Sequence, residues 1–175
     1  MSWKALLLPV LLLPGMALSA HDWGDDQEVV RSAASGTLVI ESPGRLIHHG
    51  EYAGVPVTVI RRFDDDGLRQ VRYFNSAGHA SPADYMRDFE RLRRTLVDAH
   101  DEPELDVREW RSDALREQQG MEGMALAGGK LVLVAGWNTP DALILMTLQR
   151  EHMGIAHQLV FTDPAADPDA FPAGQ

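Results

Sequence analysis

Short β-prone runs separated by turn residues are the feature that most constrains what this chain can fold into. Four such runs follow one another closely, at residues 37–41, 45–52, 55–63 and 68–74. Turns containing glycine separate them, at residues 43–44, 53–54 and 64–67. Short apolar runs bounded by such turns predict an antiparallel meander.

The second half of the chain repeats this pattern. A run at 105–110 predicts one strand, and runs at 130–137, 142–149 and 155–161 predict a second meander. Residues 139–153 also admit a helix, because Thr139-Pro140-Asp141 suits a helix start and Gly154 a helix end. We favour a strand there, since the runs on either side would otherwise lack a neighbour between them.

One segment has a helical pattern. Ser81 can cap a helix that begins at Pro82, and apolar residues then recur at helical spacing through Leu96. The pattern predicts an amphipathic helix over 82–99, whose charged outer side we interpret as a solvated face. A short helix is predicted at 113–119 and a loop at 120–129. The predicted fold class is α+β: a mostly antiparallel sheet of two meanders with one long amphipathic helix packed on one face.

The two ends of the chain differ from this body. Lys4, an apolar run at 5–13, Pro14-Gly15 and a series of small residues have the layout of a cleavable signal peptide over residues 1–20. We therefore expect a soluble product in the periplasm or secreted to the medium. Residues 21–35 are predicted to be an acidic N-terminal tail, 36–162 a single domain, and 163–175 a Pro/Asp-rich C-terminal tail.

Composition excludes several classes of protein. The 175 residues include no cysteine, which removes disulfides and thiol nucleophiles. Only 16 Lys and Arg stand against 26 Asp and Glu, for a formal charge of −10. Such a chain repels nucleic acid and anionic lipid surfaces at long range. The charge instead predicts a basic protein partner.

Catalytic signatures are missing from the sequence. The nucleophile elbow, the zincin helix motif, the phosphate loop and the dinucleotide fingerprint do not occur. The acidic turn at 64–67 lacks the late glutamate of a calcium loop, so we interpret it as a hairpin turn. We therefore predict that the protein is not an enzyme and binds no cofactor.

The histidines provide an alternative, in which the protein binds copper or zinc. Imidazole is a common ligand for both metals. The candidate ligands are His21, His48, His49, His152 and His157. Cleavage after Ala20 would make His21 the first residue, and a terminal amine beside an imidazole binds Cu(II). Because no tight ligand spacing occurs, we favour surface and turn histidines.

Three other residues are candidates for contact with a partner. Trp23 stands in the acidic tail with nothing local to pack on, and Met121 and Met124 lie in the predicted loop 120–129. The sequence as a whole predicts an exported binding protein of the bacterial envelope, of the inhibitor, immunity or assembly-accessory type. It would act by surface complementarity, through a sheet face or through this loop.

Overall fold

The computed structural model describes residues 23–152 and 154–166, and these form eight strands and four helices. In chain order the elements are α1 (Gln27–Ala33), β1 (Thr37–Ser42), β2 (Arg45–Tyr52), β3 (Val55–Asp64), β4 (Gly67–Asn75), α2 (Pro82–His100), β5 (Leu105–Trp110), α3 (Asp113–Arg116), α4 (Glu122–Ala127), β6 (Leu131–Asn138), β7 (Leu143–Glu151) and β8 (Gly154–Thr162).

All eight strands belong to one antiparallel sheet with the order β1-β2-β3-β4-β8-β7-β6-β5. Strands β1 to β4 form one meander and β5 to β8 a second, and the two join where β4 pairs with β8. The predicted α+β class and the mostly antiparallel sheet are confirmed. The segment for which helix and strand competed is a strand, because it pairs with β6 on one side and β8 on the other.

The core lies on one face of this sheet, which we call the core face. Alternate residues of the strands reach it, as the two-residue period of a strand requires. Val57, Val71, Leu159 and Met146 are fully buried or nearly so, and each comes from a different strand. Helix α2 adds Phe89, Leu92 and Leu96 to the same cluster, and α4 adds Ala125 and Leu126.

Local chemistry explains where α2 begins. The Ser81 hydroxyl accepts a hydrogen bond from the backbone N–H of Ala83, at 3.3 Å, and Pro82 occupies the first helical position. Both are favoured at a helix start, because the first N–H groups have no partner within the helix. Among the described residues, no helix is both long enough and apolar enough to cross a membrane.

The predicted acidic tail at residues 21–35 contains regular structure from Trp23 onward, and residues 21–22 lie outside the described residues. Helix α1 lies within this segment, and Trp23 packs against the core. The backbone N–H of Gly24 donates to the carbonyl of Leu68 at 3.1 Å, and that of Leu68 donates to the carbonyl of Asp25 at 3.0 Å. A Cβ on Gly67 would clash with the Gly24 carbonyl, so glycine is needed where the segment crosses the turn.

Two further predictions of irregular chain were wrong. Residues 120–129 contain α4, because Ala125 and Leu126 are buried in the core and hold a short helix between the flanking glycines. Asp163 was assigned to the C-terminal tail, but it is 5% exposed and pairs with Arg69 at 2.5 Å. Burial of this ion pair fixes Asp163 to the end of β8.

Candidate functional site

The predicted metal ligands on β2 point to opposite faces of the sheet. His48 is buried on the core face, where its Nδ1 lies 3.2 Å from Nη1 of Arg61. Burial, reinforced by the charge of Arg61, lowers the pKa of His48. His49 is exposed on the other face, 3.2 Å from the Thr58 hydroxyl. At most one of the two histidines can therefore share a site with a third residue.

The other predicted ligands lie elsewhere. His157 is buried on β8, and β3 and β4 separate β8 from β2. His152 is exposed in the turn after β7, and His21 lies outside the described residues. Within the described part of the chain, no group of three or more His, Asp or Glu side chains could hold a metal ion. A copper or zinc site that includes His21 stays a prediction.

His157 belongs to a polar network that the sequence did not indicate. His79 Nε2 lies 2.6 Å from Asp88 Oδ2, and the amide of Asn75 donates to the same oxygen at 2.8 Å. That amide also lies 3.3 Å from Nδ1 of His157. Because Asp88 is on α2, Asn75 on β4 and His157 on β8, the network joins the helix to the sheet.

The electrostatics of this network follow from its burial. Burial alone would raise the pKa of the Asp88 carboxyl, but hydrogen bonds from His79 and Asn75, with the charges of His79 and Arg91, hold it below its usual range. Burial lowers the pKa of His157 to about 4. In the described residues, no serine or threonine hydroxyl hydrogen-bonds to His79 or His157. The arrangement is therefore better suited to attaching α2 to β4 and β8 than to forming a catalytic nucleophile and its base.

The three predicted partner contacts have different surroundings. Trp23 donates its indole N–H to the Asp141 carbonyl at 2.6 Å, which gives it a structural role. Met121 immediately precedes α4, makes no capping hydrogen bond through its side chain, and is half-buried. Met124 is 61% exposed. Of the three, Met124 remains the residue that a partner could reach most easily.

A cleft between α2 and β5 is neutralised within the protein. Arg93 lines it together with Phe89 and Asp106. The guanidinium of Arg93 donates to Asp106 at 2.6 Å and to Glu102 at 3.0 Å. These ion pairs satisfy the charges of the cleft, so it shows no requirement for a ligand.

The face of the sheet opposite the core forms a broader surface, which we call the open face. A cross-strand row defines it from edge to edge: Ile40, Ile47, Ile60, Arg72, Val160, Leu145, Gly136 and Leu105. The side chains of this row are half-buried or exposed, whereas Gly136, which lies between Leu145 and Leu105, is buried. An antiparallel sheet usually turns polar residues towards water on its uncovered face. A row in which only one side chain is polar departs from that rule.

The two ends of the open face differ in character. Its part on strands β5 to β8, which we call the apolar half, presents Leu105, Val107, Val134, Leu145 and Val160, with Val132 and Leu143 only 7% exposed. The polar side chains of Thr147, Gln149 and Gln158 share this face. On strands β2 to β4 lie Arg45, Arg62 and Arg72, which we call the arginine cluster. The open face is thus amphipathic along its width.

Register brings the arginines together. Arg45 is directly opposite Arg62 on β3, and Ile60, opposite Arg72, precedes Arg62 by two positions on the same face. Like charges directly opposite each other in a sheet are destabilising. Burial, together with the charge of Arg62, lowers the pKa of Arg72. The cluster therefore concentrates positive charge, and the repulsion between its arginines lowers the stability of the folded protein.

Carboxylates do not neutralise this cluster. None of the ion pairs formed within residues 23–152 and 154–166 includes Arg45, Arg62 or Arg72. The nearby Asp64 and Asp66 instead pair with Arg69, each at 3.0 Å. The cluster therefore keeps its positive charge in a chain whose net charge is −10.

Hydrogen bonds hold one arginine in place. The Nε of Arg72 donates to Gln70 Oε1 at 2.5 Å, and the amide of Gln70 donates to the Thr162 hydroxyl at 3.2 Å. The guanidinium is fixed through its Nε, and no hydrogen bond within the described residues engages its two terminal nitrogens. Such a fork suits the oxygens of a carboxylate or phosphate.

The sequence contained a signal for part of this surface. Residues Ala53 and Gly54 form a two-residue turn, which places Tyr52 opposite Val55 and so fixes the register back to Arg45 and Arg62. Comparison with known proteins adds no family to this description: no family model, curated protein or solved structure matches the chain.

Proposed function

We propose that the protein is an exported binding protein of the bacterial envelope whose binding surface is the open face of its sheet. One observation carries the proposal: the open face combines an apolar half with arginines that no carboxylate of the described residues neutralises. Half-buried apolar surface beside unneutralised charge is typical of an interaction site.

A difference between the two faces of the sheet supports this proposal. We propose that α2 covers the core face, where Phe89, Leu92 and Leu96 enter the core cluster. The open face would then be left for a partner. Its breadth suits recognition by complementarity of shape and charge, without any chemical step.

The charge of the surface bears on the kind of partner. A net charge of −10 favours a basic partner at long range. At short range the arginine cluster favours an anionic group, because screening confines the field of the whole molecule to about 8–10 Å in salt. We therefore propose that the partner presents negative charge next to an apolar part.

Site-directed photo-crosslinking in living cells tests this function. A photoreactive benzoylphenylalanine is placed at Ile60 or at Leu145 on the open face, and in a second strain at Met124 on α4. Illumination should give a crosslinked product from both open-face positions. Because the two positions lie three strands apart in the sheet, agreement between them would report a partner that spans the face.

The comparison with Met124 decides between surfaces. Met124 is 61% exposed, so it is accessible to any protein that uses the α4 segment. Products from Met124 alone would assign binding to α4 and reject the open face. Absence of products at all three positions would reject a stable partner of this protein in the cell.

A further inference from the structure

From the proposed function of the open face, on which this inference rests, we infer that its ligand is a single anionic lipid molecule with one acyl chain and a phosphate head. The phosphate would bind the arginine cluster, and the chain would lie across the apolar half. The three arginines and the apolar side chains face the same side of one continuous sheet, which is what such a molecule requires.

The head site follows from the geometry of the arginines. Arg45, Arg62 and Arg72 come from three adjacent strands, and their register places them within one or two strand spacings of one another. Guanidinium groups bind phosphate oxygens in pairs, and two or more can share one phosphate. A phosphate there would remove the repulsion between the arginines, and that relief would add to the affinity.

The length of the apolar half agrees with an acyl chain. Strands β8 and β5, which bound the apolar half, lie three positions apart in the sheet, which is about 14 Å at the usual strand spacing. The hydrocarbon of one bilayer leaflet is about 15 Å deep, half of the usual core thickness. Val160, Leu145 and Leu105 follow this path from β8 to the far edge. An extended chain that starts at β8, beside Arg72, is therefore about long enough to cross the apolar half.

The overall charge separates a free lipid molecule from a membrane surface. At −10 the protein is repelled by an anionic bilayer, whose field acts on the whole molecule. A single lipid carries at most two negative charges and is held at short range, where the arginine cluster dominates. For this reason we assign the open face to a lipid molecule taken singly.

Calorimetric titration of the purified full-length chain with monopalmitoyl lysophosphatidic acid, kept below its micelle-forming concentration, tests the inference. We expect one lipid to bind per protein. The double variant Arg62→Gln/Arg72→Gln should bind at least tenfold more weakly, because it removes two of the three phosphate contacts. The Leu145→Asn variant should also lose affinity by about tenfold, because it interrupts the path of the chain.

Two kinds of control make the result specific. Arg94→Gln removes the same charge from the exposed side of α2 and should leave the affinity unchanged. Glycerol 3-phosphate lacks the chain, and monopalmitoylglycerol lacks the phosphate, so both should bind at least tenfold more weakly than the complete lipid. Thermal unfolding of each variant confirms that it is folded before titration.

Several outcomes would overturn the inference. One is that the double arginine variant binds lysophosphatidic acid as tightly as the wild type does. Another is that monopalmitoylglycerol binds as tightly as lysophosphatidic acid. A third is that the protein binds only vesicles that contain the lipid. Binding of an acidic amphipathic peptide in place of the lipid would identify a protein ligand, and concentration-dependent dimers that Leu145→Asn abolishes would identify a second copy of the chain. In these last two cases the open-face crosslinks persist, so the proposed function would stand while the lipid is rejected.

Discussion

At the scale of single residues, His157 links stability to pH. Burial lowers its pKa to about 4, against 6.5 for an ordinary imidazole. Between these values the unfolded chain binds a proton that the folded protein does not. The stabilising contribution of His157 is therefore fully present above pH 6.5 and is lost as the pH falls towards 4. From about pH 7 to about pH 4.5, this one residue should remove about 2 kcal/mol of the free energy of unfolding.

Substitution isolates that contribution. Urea unfolding of His157→Gln at both pH values should show a loss on acidification smaller than that of the wild type by about 2 kcal/mol. His152→Gln, at an exposed turn, is the control and should behave as the wild type. An identical pH response in His157→Gln would show that the pKa of His157 is the same in the folded and unfolded states.

Asp88 has the opposite relation to pH, because its folded pKa is depressed by His79 and Asn75 despite burial. Its stabilisation is present above the ordinary carboxyl pKa, near 4, and is lost as the pH falls through the depressed value. Asp88→Asn should cost about 1–3 kcal/mol at neutral pH, because the neutral amide keeps one acceptor oxygen but loses the charge that strengthens the hydrogen bonds from His79 and Asn75. In denaturant titrations this cost should shrink in acid. Asp98→Asn, exposed on the same helix, should stay within about 0.5 kcal/mol of the wild type.

At the scale of elements, edge strand β1 carries an aggregation risk. Leu38, Val39 and Ile40 are 41%, 47% and 46% exposed, and the register shifts between Leu38 and Ile40. Apolar edge strands offer free backbone groups to other chains, and natural proteins often protect them with lysine. Val39→Lys should therefore slow the rise of light scattering in concentrated samples, with stability changed by no more than about 0.5 kcal/mol.

An equally exposed apolar residue away from any strand edge provides the control for β1. Val29 is 53% exposed on α1, and Val29→Lys should leave the scattering unchanged. If both substitutions slow aggregation equally, the effect would be attributed to net charge. If Val39→Lys does not slow aggregation, β1 would not be the site of association.

The elements also show what local sequence can specify. Strands β2 and β5 have the bounds predicted for them, because alternation and turn residues are local signals. Helix α4 was missed, since its six residues lie among glycines and depend on burial of Ala125 and Leu126. The pairing of β4 with β8 could not be predicted from local sequence either, because Val71 and Phe161 are far apart in the chain. The arginine cluster depends on a predictable hairpin register, whereas the full width of the open face depends on that long-range pairing.

At the scale of the whole molecule, the pairing of β4 with β8 makes two meanders into one cooperative unit. Phe161 lies at this junction, opposite Val71 on one side and Ile144 on the other, and is 3% exposed. The core cluster runs through it from Val57 in the first meander to Trp137 in the second. Neither meander can bury its core face without the other, so we expect the two to unfold together.

Phe161→Ala tests this cooperativity. The substitution should cost about 3–5 kcal/mol, because it leaves a cavity that both meanders line. Val160→Ala changes the next residue of the same strand on the open face and should cost only about 1 kcal/mol. Hydrogen exchange followed by mass spectrometry should then show protection falling equally in β2–β3 and β6–β7 of the Phe161 variant. Persisting protection in one meander alone would mean that this meander holds its own core and that the junction merely adjoins two separable halves.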